Sequence, residues 1–83
     1  MAQGFGTASE AAVAGVYAGG RSAAIDANIR AVAIEVAKDG DCRTFEVHEE
    51  PRRSGASYQG SMSKARVTVH RQGSLWYPVE ECP

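Results

Sequence analysis

The sequence predicts an α+β domain: one main helix packed on a three- to four-stranded antiparallel sheet, in the order β-α-β-β-β. Three observations carry this. Residues 22–38 place apolar side chains at helical spacing. Residues 43–49 and 65–71 alternate apolar and polar positions. A short turn at Gln72-Gly73-Ser74 joins the second alternating run to another apolar run at 75–79.

The main helix is expected over residues 22–38. Ile25, Ile29, Val32, Ala33 and Val36 form its stripe, and Ser22 can accept a backbone N–H bond as its cap. Asp26 and Arg30 stand four apart, the spacing of an exposed ion pair. Gly40 can take the left-handed conformation that ends a helix. Phe45 and Val47 then alternate with Thr44, Glu46 and His48, a strand with one wet face, and Pro51 helps to stop it.

Residues 52–63 are polar and glycine-containing and read as a long mobile loop, with Tyr58 and Met62 as its apolar anchors. In the next strand Ala65, Val67 and Val69 share one face, and Arg66, Thr68 and His70 the other. Pro78 places the last strand at an edge.

The N-terminal segment has two readings. Thr7-Ala8-Ser9-Glu10 fits a capping box ahead of an alanine-rich helix, but Gly15 interrupts it. The preferred alternative is a strand at Val13-Ala14-Gly15-Val16-Tyr17 that enters the main helix through Gly19-Gly20. Residues 1–9 and 80–83 are then tails of a single domain spanning 1–83.

With 83 residues the chain is long enough for one domain, and its core is modest. Oligomerisation or a covalent staple would add the missing stability. The net charge of −1 gives no basic footprint for nucleic acid. No stretch is apolar enough to span a membrane, and the first residues carry no secretory pattern. A cytoplasmic location is expected. Cys42 and Cys82, forty apart, lack zinc or redox-motif spacing and are expected as free thiols. They could pair only if the C-terminal tail packs back.

No catalytic residues, cofactor or metal are assigned. His48 and His70 with Glu46 could make a weak metal site if the strands brought them together, but two ordinary outward histidines are the preferred reading. A Cys42–His48 nucleophile pair lacks an orienting third group. The glycine turn before the helix can receive a carboxylate or phosphate, so Gly19, Gly20, Arg21, Ser22 and Asp26 are the candidate ligand-binding residues. Trp76 and Tyr77 point to opposite faces of a strand, so one of them needs cover from its own core edge or another chain. They are the candidate interface residues.

From Ala14 onward the chain resembles part of the C-terminal regulatory domain of 2-isopropylmalate and citramalate synthases. Gly15-Val16-Tyr17-Ala18-Gly19-Gly20-Arg21-Ser22-Ala23-Ala24-Ile25-Asp26-Ala27 carries the resemblance, with Phe45-Glu46-Val47-His48 and Ala65-Arg66-Val67-Thr68-Val69. It implies a dimerising domain that senses an amino acid near a helix N-terminus. Arg43-Thr44-Phe45-Glu46-Val47 is similar to a strand of dodecins, though Thr44 stands where those proteins stack an aromatic residue on flavin. The expectation is a non-enzymatic, oligomeric binding or regulatory module, with a homodimer as the first assembly. The alternative is a small inhibitor or adaptor, of phage type, that occludes a partner protein.

Overall fold

The computed structural model describes residues 3–18, 20–26, 29–51 and 62–83. Two helices, α1 (Ala8–Val16) and α2 (Arg21–Asp26), precede four strands: β1 (Ile29–Asp39), β2 (Cys42–Pro51), β3 (Met62–Gln72) and β4 (Leu75–Val79). The strands form one antiparallel sheet in the order β1-β2-β3-β4. A helix packed on a four-stranded antiparallel sheet is the α+β arrangement expected, but different segments build it.

The main correction concerns residues 22–38. Among the described residues of this stretch the helix is confined to Arg21–Asp26, and Ile29–Asp39 is a strand. The apolar positions fit both periods, because Val32, Ile34 and Val36 also alternate. β-Branched side chains are stiff in a helix and fit a pleated surface, which favours the strand. Asp39-Gly40-Asp41 lies between two alternating runs, and Gly40 does take a positive φ of 59°, in a hairpin turn and not at a helix end. The expected Asp26–Arg30 pair disappears with the helix. Arg30 instead lies 3.9 Å from Glu50 on the neighbouring strand.

The second correction is the N-terminal strand, which is a helix. The Glu10 N–H donates to the Thr7 hydroxyl oxygen at 3.2 Å, and that hydroxyl donates to Glu10 Oε1 at 3.0 Å. The capping signal therefore prevails over the glycine. Gly15 sits where the helix meets the sheet: a Cβ there would lie 2.7 Å from Val67 Cγ1 and 3.6 Å from Pro78 Cβ. The element order is thus α-α-β-β-β-β, not β-α-β-β-β. Residues 5–9, expected within a tail, pair with β4 through Phe5 and then begin α1. The loop expected over 52–63 falls outside the described residues, apart from β3 starting at Met62.

The pairing register sorts the side chains by face, since directly paired residues project to the same side. Ala33, Phe45, Val47, Val67, Val69 and Trp76 share the face covered by α1. Ala11 and Ala12 of α1 are fully buried against it. Val13 is fully buried as well. Small alanines let the helix lie close, but they also keep the core thin. Phe45 is the one large aromatic among the buried residues described. Val32, Ile34, Thr44, Glu46, Thr68, His70 and Tyr77 share the opposite face.

Candidate interaction surface

The two edges of the sheet are unequal. On β4, Phe5 and Trp76 exchange both backbone hydrogen bonds at 2.8 Å, so the N-terminal segment covers part of that edge. β1, an eleven-residue strand, has no strand on its outer side among the described residues. Such an edge presents a row of unpaired N–H and C=O groups. Along it Ile34 is 48% exposed and Val36 45%. Val36 is the extra residue of a bulge, where the register with β2 shifts between Glu35 and Ala37.

On the open face, charges tie β2 to β3. Arg66 donates to Glu46 Oε2 at 2.8 Å, and His48 Nε2 lies 3.4 Å from Glu46 Oε1. The Arg66 hydrogen bond first, and then that of His48, hold the Glu46 carboxyl below the usual glutamate range. His48 and His70 do not meet: His48 pairs with Ser63, whereas His70 pairs with Cys42, six residues away along β2. Among the described residues no group of three His, Cys, Asp or Glu is gathered to hold a metal ion.

Arg43 organises the turn end of the helix-side face. Its Nη1 donates to the carbonyls of Gly40 and Cys42, its Nε lies 3.4 Å from Glu35 Oε1, and its guanidinium sits over the Trp76 ring. Arg71 fixes the same turn from β3 by donating from Nη2 to Asp41 Oδ1 at 2.7 Å.

Here the thiol expectation is overturned. Cys42 and Cys82 form a disulfide with a Cα–Cα distance of 6.1 Å, and no described cysteine is free. The tail packs back across the start of β2, a long-range contact that residue spacing cannot display. The bond lies beside a cavity of about 330 Å³ that also meets His70 and Asp41.

The candidate ligand turn is only partly visible. Gly19 lies outside the described residues. The Gly20 N–H donates to the Tyr17 carbonyl at 2.7 Å, and the Gly20 carbonyl accepts from Ala24 N at 3.4 Å, so this backbone is engaged within the turn. Arg21 opens a helix of six residues, and Ser22 and Asp26 are exposed. Trp76 and Tyr77 are both half-buried. Trp76 packs against the helix-side core, and Tyr77 pairs with His70 on the open side. The disulfide is the alternative set behind free thiols in the sequence, whereas the β1 edge was missed there, its one local signal being the Asp39-Gly40-Asp41 turn between alternating runs.

No family model, no curated protein and no solved structure matches this chain. No described helix is long and apolar enough to cross a membrane.

Proposed function

We propose that this domain is a non-enzymatic binding module that assembles through the outer edge of β1, with a second copy of the chain as its first partner. The observation that carries the reading is the long β1 edge, which no described strand pairs, with Ile34 and Val36 exposed beside it. Two β1 edges meeting antiparallel about Ala33 would set Val32 against Ile34 of the other copy on the open face. The same register opposes Arg30 to Val36 and Glu35 to Ala31, so no like charges face each other. A net charge of −1 adds little repulsion between copies.

Light scattering across a concentration series tests this. A dimer is expected, and Ile34→Lys should shift it to monomer while circular dichroism shows the fold retained. A wild-type chain that stays monomeric throughout overturns the proposal. A thermal-shift screen with small carboxylates separates edge binding from ligand sensing. A shift that Arg21→Ala abolishes would favour the regulatory, amino-acid-sensing role at residues 19–22.

The second reading is an adaptor or inhibitor that binds a different protein. It draws support from a groove of about 480 Å³ where β3 runs on past the end of β4, lined by Gly15, Arg66, Val67, Pro78 and Val79. Recovery of a stoichiometric partner by pull-down, lost on Val79→Lys, would favour it. The disulfide also bears on location. It favours an oxidising compartment over the cytoplasmic one expected, because disulfides persist where thiols are not kept reduced.

A further inference from the structure

The two sulfurs of the Cys42–Cys82 bond sit in unequal surroundings. Cys42 is 5% exposed at the start of β2, whereas Cys82 is exposed in the C-terminal tail. The tail segment around Cys82 belongs to no helix or strand. His70 pairs with Cys42 across the strands and projects to the same side. Its Nδ1 is buried and has no hydrogen-bond partner among the described residues. Asp39 follows from β1, Asp41 from the turn and Tyr77 from β4 as the other polar groups around that imidazole. Asp41 is held by Arg71.

We infer that Cys82 is a thiol-exchange site, where a small thiol forms a reversible mixed disulfide while Cys42 is released as a protected thiol beside His70. Exchange proceeds by attack of a thiolate on one sulfur, and access selects which sulfur is attacked. The attacking thiolate forms a new S–S bond to Cys82 Sγ, the Cys42–Cys82 bond breaks, and Cys42 leaves with the electron pair. The Cys42 thiolate takes a proton from solvent, and the resulting S–H can donate to His70 Nδ1. Cys42 can re-form the bond by attacking Cys82 Sγ and expelling the small thiol. A second molecule of that thiol can instead attack the mixed disulfide at its own sulfur. That leaves both cysteines reduced and the thiol oxidised to its dimer. Opening frees the tail from the cavity next to His70, and closing returns it.

The test is a short exposure of the oxidised full chain to glutathione in native buffer. An acid quench stops the exchange, N-ethylmaleimide in urea at mildly acidic pH then caps the released thiol, and mass spectrometry maps the peptides. Glutathione should be found on Cys82 and maleimide on Cys42, favouring that arrangement by about tenfold, since the buried sulfur is shielded. The preference should fall towards equal labelling in denaturing urea, where both sulfurs are accessible. Glutathione on Cys42, or equal labelling in native buffer, overturns the assignment. So does a native exchange rate that merely tracks global unfolding across sub-denaturing urea.

Discussion

The Arg43 guanidinium lies over the ring of Trp76 at 5.2 Å from its centroid, joining β2 to β4 across the helix-side face. The Arg43 side chain is 18% exposed, so this contact is largely screened from water. The same guanidinium holds the β1–β2 turn through backbone carbonyls and reaches Glu35.

Arg43→Ala should therefore destabilise the fold by about 1–3 kcal/mol, because it removes a cation–π contact together with bonds to turn carbonyls. Arg43→Lys keeps the charge but loses the planar fork and should recover only part of that loss. Urea denaturation of both variants, with a double-mutant cycle against Trp76→Leu, measures it. A coupling energy of zero would show that arginine and tryptophan act independently.

Gly15→Ala tests the approach of α1 to the sheet. Alanine is favoured over glycine in a helix interior by about 1 kcal/mol. The new methyl would nevertheless lie 2.7 Å from a stiff valine branch. Overpacking costs about 1–3 kcal/mol. The melting temperature should fall, and Val67→Ala in the same chain should relieve part of the loss. A rise in melting temperature would place the helix farther from β3.

The disulfide closes a span of forty residues. By loop entropy a closure of that length stabilises by about 4 kcal/mol, and native domains lose about 2–5 kcal/mol without such a bond. Cys82→Ser should lower the urea midpoint markedly, and reduction of the wild type should reproduce it. Equal midpoints for oxidised and reduced protein would show that the tail contributes nothing to stability.

Glu46 gives a pH prediction with a definite sign. Its carboxyl is held below the ordinary glutamate value by Arg66 and then His48. A carboxylate depressed in the folded state contributes stability that is fully present above its unfolded value. That contribution is lost as the pH falls through the lower folded value. Arg66→Ala should move the Glu46 titration, followed by side-chain carboxyl NMR, up towards the ordinary range. The variant should also lose the share of the acid-side pH dependence of unfolding that Arg66 contributes, with the share from His48 retained. An unmoved titration would mean that the ion pair does not persist in solution.

Much of the fold follows from local pattern. Phe45 and Val47 on β2, Val67 and Val69 on β3, and the turn at Gly73 follow strict alternation and punctuation, which act within a few residues. The capping residues Thr7 and Glu10 also mark their helix locally. The candidate site was less legible. Its edge lies in residues 29–39, where Ile29, Val32 and Val36 fit a helical stripe and Val32, Ile34 and Val36 alternate as in a strand.

The sequence by itself determined the α+β class, the three C-terminal strands and the thinness of the core, because composition and short-range periodicity fix those. Tertiary structure decided the rest. Pairing with β2, Ala33 with Val47 among others, made residues 29–39 a strand, since that ladder takes up the inner-side N–H and C=O groups of the extended backbone. The fit of Gly15 against Val67 explained a glycine inside a helix. The return of Cys82 to Cys42 turned two expected thiols into a staple, because a contact across forty residues depends on where the whole chain runs.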